Sequence, residues 1–259
     1  MTTPAVSLVI PVYNGAGYLA ASLERLFAFT DSEIPGLEIV FVDDGSTDGS
    51  ADIIERRSSG RVQLVRLTSN RGKFGALKTG MSVARGACRV FTDADLPYDL
   101  DAITYMAELV SENGFHIVVG DRTLSQSENR GGRPALRGLS TRIFSFSVRL
   151  LVTGELFDTQ VGLKGFRGDI AAALFPLITD NGFAGDVELL YIALKYNLAI
   201  RRIPVRLLRS GPSTVRLLGH SAAMLARISS LRRRWSTGAY ESDALRSLSD
   251  QRYWTPRRD

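Results

Sequence analysis

The sequence predicts an α/β fold in which a mostly parallel sheet is covered by helices on both faces. Three observations carry this reading. Short β-branched or apolar runs alternate along the chain with segments of helical spacing, a polar turn separates each run from the helix that follows, and the strongest polar residues gather just after the runs. In such sheets ligands bind beyond the carboxyl ends of the strands, so those residues are the ones to read for function.

The elements follow in order. Val6–Val12 is an apolar strand, and Tyr18–Phe29 behind it has the spacing of an amphipathic helix. Strands are then predicted over Glu38–Val42, Val62–Leu67, Arg89–Thr92 and Ile117–Val119. The helices between and after them are Ser50–Arg57, Gly75–Arg85 and Leu100–Asn113. Beyond residue 119 the pattern changes. Leu124 to Arg133 is polar and glycine-containing, which predicts a mobile loop. It leads into a stretch where Arg130, Arg133, Arg137, Arg142 and Arg149 occur with no acid, which reads as a basic helix. Thr214 to Trp235 spaces Leu217, Leu218, Leu225, Ile228 and Leu231 as a helix, with Arg216, Arg227 and Arg232 to Arg234 on its polar face or at its end. The tail from Ser236 is polar and is expected to be partly disordered.

With 259 residues, 44% hydrophobic and 23% charged, the chain can bury a full core. Its single cysteine, Cys88, cannot form an internal disulfide and is placed at a strand entrance, which implies a reducing compartment, the cytoplasm. Met1 to Pro4 carry no basic residue and open no signal peptide. The apolar stretches Ile143–Val152 and Leu217–Ile228 are interrupted by Arg149 and Arg227 and fall short of the roughly 20 residues that span a bilayer. A soluble or peripheral protein is expected.

The net charge of +5 is unevenly placed. Residues 201 to 235 hold nine arginines and no acid, whereas residues 236 to 259 balance at four each. Such a block calls for an anionic partner, either nucleic acid or anionic lipid. Against nucleic acid, the segment lacks interleaved aromatics and has Trp235 at its end. His116 and His220 have no second ligand at metal spacing, which favours structural or surface roles.

At the predicted strand ends stand Pro11-Val12-Tyr13-Asn14, Asp43-Asp44-Gly45-Ser46, Asn70-Arg71-Gly72-Lys73 and Asp93-Ala94-Asp95. Alone, Asp-Asp-Gly-Ser is a common turn and helix cap. The succession is what matters. A carboxylate beyond a strand can hydrogen-bond a base or ribose, and an Asp-x-Asp pair can hold a hard cation bridging two phosphates.

V-S-L-V-I-P-V-Y-N (6–14), V-D-D-G-S-T-D-G-S (42–50), N-R-G-K-F-G-A-L-K-T-G-M (70–81) and F-T-D-A-D-L (91–96) resemble the nucleotide-binding half of the large family of inverting GT-A glycosyltransferases. D-T-Q-V-G-L-K-G-F-R (158–167), G-D-V-E-L-L-Y-I-A (185–193) and S-T-V-R-L (213–217) are similar to polyprenyl- and dolichyl-phosphate glycosyltransferases, above all the dolichyl-phosphate glucosyltransferases. The resemblance covers residues 5 to 230 and implies a Rossmann-like GT-A sheet with a basic C-terminal amphipathic helix added. The expected organisation is a nucleotide-sugar-binding half over 1–120, an acceptor-binding half over 121–212, a basic amphipathic helix at 213–235 that either docks on a membrane or packs its apolar face on the domain, and the polar tail 236–259.

The resemblance also assigns roles. Pro11, Tyr13, Asn14, Asp43, Asp44, Asn70, Lys73 and Asp93 would serve the nucleotide sugar, and Asp93 and Asp95 would hold Mg²⁺ or Mn²⁺, with Asp95 central to catalysis. Lys73 would assist the leaving diphosphate. Arg122, Arg137, Arg142 and Arg216 would hold an acceptor phosphate, Arg137 and Arg142 acting at the reacting group itself. Asp186 stands where hydroxyl-accepting relatives place a base, and its position is equally that of a helix cap. Asp158, Thr159, Gln160 and Lys164 would shape the sugar side. Two residues depart from the pattern: Pro97 stands where several relatives carry a metal-ligating Gln, and Phe74 replaces a small residue.

The expected activity is metal-dependent transfer of a sugar, glucose from UDP-glucose being favoured, onto a polyprenyl phosphate at the cytoplasmic face of a membrane. Three alternatives remain open: transfer to a hydroxyl of a glycan, glycolipid or small molecule with Asp186 as base, a nucleic-acid-binding module, and a silent nucleotide-sugar binder. The intact Asp93-Ala94-Asp95 speaks against the last.

Overall fold

Seven strands form one mixed sheet in the computed structural model, which describes residues 4–34, 36–57, 60–129, 161–182, 184–208 and 230–250. The strands are β1 (Val6–Val12), β2 (Glu38–Asp43), β3 (Val62–Arg66), β4 (Cys88–Thr92), β5 (Ile117–Asp121), β7 (Leu163–Arg167) and β8 (Ile200–Pro204). Their order is β3-β2-β1-β4-β7-β5-β8. β7 runs antiparallel to both β4 and β5, and every other pairing in this sheet is parallel. A second, two-stranded sheet pairs β6 (Glu128–Asn129) with β9 (Arg206–Leu207).

Alternate residues of each strand face opposite sides, and each side has its own core. Leu8, Ile10, Phe41 and Val90 pack under α1 (Ala16–Ser32), α2 (Ser50–Glu55) and α4 (Asp101–Ser111). Val9, Val42, Phe91 and Phe166 pack under α3 (Lys73–Val83), α5 (Gly168–Leu174) and α6 (Gly185–Lys195). Cys88 opens β4 and is buried, and burial pushes its thiol up to about 12. His116 is buried too, its Nδ1 accepting the Ala199 amide at 2.9 Å, a structural contact.

The structure corrects several sequence expectations. Residue 120 lies inside β5, and β7 and β8 complete the same sheet as β1 to β5. Residues 124–129 are held in place rather than free: Ser127 Oγ donates to the Asp121 carbonyl at 2.6 Å, and the Glu128 amide, at the start of β6, donates to the Val205 carbonyl at 3.2 Å. Residues 236–250 of the tail also belong to the folded domain. Tyr240 and Leu245 are buried, and α7 (Asp243–Asp250) packs on α5. Residues 230–236 are helical, with Leu231 in the core and Trp235 edge-on to Tyr191 and Tyr196. That end of the basic segment packs against the domain. The expected basic helix after residue 130 and residues 214–229 of the amphipathic helix lie outside the described residues. Among the described residues, no helix is long and apolar enough to cross a membrane.

Candidate active site

The chain order reverses at β1. β2 and β3 extend the sheet to one side of it and β4 lies on the other, so a crevice opens between the loops after β1 and β4. Tyr13 and Asn14 follow β1, Asp43 and Asp44 stand at the end of β2, Asn70 follows β3, and Asp93 and Asp95 follow β4. Arg122 follows β5, which the two antiparallel pairings of β7 orient like β4, so it shares this edge.

Tyr13 is 50% exposed and presents its ring to solvent at the crevice mouth. Asn14 takes a left-handed conformation (φ 49°) and links two loops: its amide donates to Ser46 Oγ at 3.0 Å and its Oδ1 accepts the Thr47 amide at 2.9 Å. Asp43 is buried and accepts the Ser46 amide at 3.2 Å, closing the turn. Pro11 lies within β1 beside Val42.

Asp44 points elsewhere. Its two oxygens accept the amides of Arg71 at 2.7 Å and Gly72 at 2.9 Å, so it fixes the approach to α3. Burial raises its carboxyl in spite of those bonds. Asn70 Oδ1 also accepts the Gly72 amide, at 3.0 Å. Gly72 has φ 82°, which favours glycine, and a Cβ there would stand 2.5 Å from the Asn181 carbonyl oxygen.

The α3 entry delivers Lys73 to the crevice, where its Nζ lies 2.5 Å from Asp93 Oδ1. Burial by itself would depress the Lys73 ammonium, but Asp93 and then Asp186 outweigh it and the pKa is raised. Gly162, just before β7, makes room for this pair, since a Cβ there would fall 1.8 Å from Asp93 Oδ2. Asp95 has no side-chain partner among the described residues. Burial, then the charge of Asp93, raises its carboxyl.

Two residues that sequence reasoning missed belong here. The Tyr18 phenol is raised by burial and then by Asp95, Asp93 and Asp48, so it sits in the field of the carboxylates. Arg25 donates from both guanidinium ends, to the Leu96 and Tyr98 carbonyls at 2.7 Å each, clamping the loop that carries Asp95. Leu96 is left-handed (φ 46°). Pro97 is buried, and its carbonyl accepts the Leu208 amide at 2.8 Å. Tyr18 and Arg25 are seven residues apart on one face of α1, which was the available signal.

Lys164 and Asp186 form a fully buried pair at 2.6 Å behind Asp93 and Lys73, and Lys164 also donates to the Val161 carbonyl at 2.7 Å. Burial, opposed by Asp186, lowers the Lys164 pKa. The Nζ of Lys164 lies 5.4 Å from the Phe91 ring centre and that of Lys73 lies 5.8 Å from it. Asp186 is in the first turn of α6, as expected, where it faces Lys164 and is 1% exposed. Phe74 is buried against Gly185 and does not narrow the crevice entry. A cavity of about 540 Å³ lined by Lys195, Trp235, Tyr240 and Arg246 lies at the opposite end of α6.

Asp93 and Asp95 fit a hard divalent cation, which commonly takes one or two carboxylates and completes its shell with phosphate and water. Among the described residues, no cluster of three acidic, histidine or cysteine side chains offers a closed protein cage. Arg137, Arg142, Arg216, Asp158, Thr159, Gln160 and His220 lie outside the described residues.

Residues 7–175 match the family model described as Glycosyl transferase family 2. The chain is 30% identical over 249 residues to the dolichyl-phosphate beta-glucosyltransferase of Dictyostelium discoideum, covering 91% of this chain and 76% of the relative. Mannosyl-3-phosphoglycerate synthase from Rubrobacter xylanophilus shares the fold with a TM-score of 0.67 at 16% identity, over 93% of this chain and 77% of that one. Glucosyl-3-phosphoglycerate synthase from Mycobacterium tuberculosis, solved with Mn²⁺, UDP-glucose and phosphoglyceric acid, gives 0.60 at 17% identity over 93% and 81%.

Proposed function

The chain belongs to glycosyl transferase family 2, and from that premise we propose that it transfers glucose from UDP-glucose to a polyprenyl phosphate at a membrane surface. The observation that carries the choice of acceptor is the buried Lys164–Asp186 pair. Transfer to a hydroxyl needs a base within hydrogen-bond reach, and the carboxylate placed for that task is sequestered. A phosphate monoester is already anionic near neutral pH and needs cations to hold it instead. Arg122 stands at the correct sheet edge for that, and Arg137, Arg142 and Arg216 are proposed to join it. The similarity to a dolichyl-phosphate glucosyltransferase supports both glucose and the lipid phosphate.

Tyr13 is proposed to cover the base and Asp43 to bond the nucleoside, in the crevice at the switch point. Asp95 and Asp93 would hold Mg²⁺ or Mn²⁺, which neutralises charge developing on the leaving diphosphate when bound. Lys73 offers a second positive group at the same place, and Arg25 keeps Asp95 oriented. Inversion at the sugar carbon follows from direct displacement by the acceptor oxygen through an oxocarbenium-like state. The segment 213–235 is proposed to meet the membrane through residues before 230, on the cytoplasmic face, because its last turns pack on the domain.

A donor screen tests this. UDP- and GDP-sugars would be supplied with polyprenyl phosphate in micelles and Mn²⁺ or Mg²⁺. Label from UDP-glucose should pass into the lipid phosphate, and Arg137→Ala should lose lipid transfer while donor hydrolysis survives. Label in a hydroxyl-linked product, or none in lipid, would overturn the proposal.

A further inference from the structure

Glu188 is fully buried in α6, and nothing in the reaction described above uses it. Its carboxylate collects five hydrogen bonds from two separate parts of the chain. Oε2 accepts the amides of Thr179 at 3.0 Å and Asp180 at 2.7 Å, and Oε1 accepts the Thr179 hydroxyl at 2.7 Å. The other two donors are the Tyr240 hydroxyl at 2.5 Å and Arg234 Nη1 at 3.1 Å. Burial of a carboxylate is tolerated only when its lone pairs are satisfied in this way.

The loop held by Glu188 continues to the donor side. The Asn181 carbonyl accepts the Phe74 amide at 2.8 Å, one of the first-turn amides of α3 that have no partner within the helix. The fit is close on both flanks. A Cβ on Gly72 would meet Asn181 O at 2.5 Å, and one on Gly185 would meet the Phe74 ring at 2.4 Å. Phe74 is the neighbour of Lys73, so a displaced loop moves the start of α3, and with it the ammonium on Asp93.

We infer that Glu188, Tyr240 and Arg234 form a positioning cluster, through which the C-terminal segment sets Lys73 for the donor diphosphate. This rests on the role of Lys73 given above. It assigns work to residues beyond the family-matched span 7–175. A chain of contacts carries coupling only if disturbing one end moves the other.

Tyr240→Phe keeps the buried ring and removes one donor. Hydrogen exchange at the Phe74 amide and calorimetric binding of UDP with Mn²⁺ would be measured for wild type, Tyr240→Phe and Glu188→Gln. Tyr240→Phe should remain folded, exchange faster at Phe74, and bind UDP about tenfold more weakly. In a Lys73→Met background the same change should leave UDP affinity unaltered, an outcome that a loss of packing alone would not give. Unchanged exchange and affinity in a folded Tyr240→Phe overturn the inference, whatever Glu188→Gln does. A wild type that fails to bind UDP while Phe74 exchange still responds counts against the donor assignment and leaves the contact path standing.

Discussion

Gly162→Ala separates the stability of the fold from the geometry of its site. An alanine Cβ would lie 1.8 Å from Asp93 Oδ2 and 2.4 Å from Cγ, whereas real Cβ contacts stay beyond 3.0 Å. The carboxylate must therefore retreat by about 1.2 Å or more, and a displacement near 1 Å at reacting groups costs on the order of a hundredfold in rate. The same retreat pulls Asp93 from its 2.5 Å contact with Lys73. The fold should suffer much less. What must move is the end of a side chain that is 35% exposed, so roughly 1–2 kcal/mol is expected, or a melting shift of about 2–8 °C. Gly165→Ala, within β7, is the control, because its Cβ would meet the adaptable Met106 side chain at 3.2–3.4 Å. Initial rates of sugar transfer at saturating Mn²⁺, beside melting curves by circular dichroism, decide the matter. A folded Gly162→Ala that keeps more than a tenth of wild-type turnover refutes the reasoning, as does an equal loss in Gly165→Ala.

Asp95→Asn should melt like wild type and lose at least about a hundredfold in turnover in a metal-dependent assay, and normal activity would remove Asp95 from the site. Lys164→Met strands Asp186 in the core and should cost about 3–5 kcal/mol in urea unfolding, while Lys164→Met with Asp186→Leu recovers a large part of it. Equal losses in the single and double variants would contradict the pairing. Glu38 is lowered from its ordinary value near 4.5. Burial opposes this, but hydrogen bonds from the Arg85 amide, Ser7 and the Arg85 guanidinium outweigh it. Its contribution is complete above pH 4.5 and is lost as pH falls through the lower folded value, so Glu38→Gln should be less stable than wild type at pH 7 and converge on it in acid. A gap that stays constant from pH 7 to pH 3 would rule this out.

The parallel half of the fold was legible because its strands are short runs rich in β-branched and apolar residues, and β1 to β4 fall within about one residue of their expected bounds. β7 was not read as a strand. Its sequence, Leu-Lys-Gly-Phe-Arg, places a lysine in the buried interior of the sheet, where Asp186, 22 residues later, and the Val161 carbonyl receive its ammonium. The ordered C-terminal segment was hidden for a related reason, since its polar composition gives no sign that Tyr240 closes on a buried Glu188. Among the site residues, Asp43 and Asp44 are equivalent by composition, but adjacent residues at a strand end point to opposite sides. One therefore closes the β2 turn and the other caps the entry to α3.

The same alternation of charge has a chemical consequence. Asp93 is matched by Lys73 and Asp186 by Lys164, which leaves Asp95 as the carboxylate of this group without a side-chain partner among the described residues. A diphosphate entering alone would meet that uncompensated charge in a half-buried setting, where Coulomb repulsion is far stronger than in water. A diphosphate entering with a divalent cation brings the charge that Asp95 lacks. Nucleotide and cation should therefore each strengthen the binding of the other, and by linkage the two enhancements must be equal. In the proposed role Lys73 would take part without leaving its partner, because one ammonium can donate to Asp93 and to a phosphate oxygen together. The lysine behind it has no such freedom, since it is sealed between Asp186, the Val161 carbonyl and the Phe91 ring, and that confinement is what lets a positive charge stand so close to the reaction without competing for the donor.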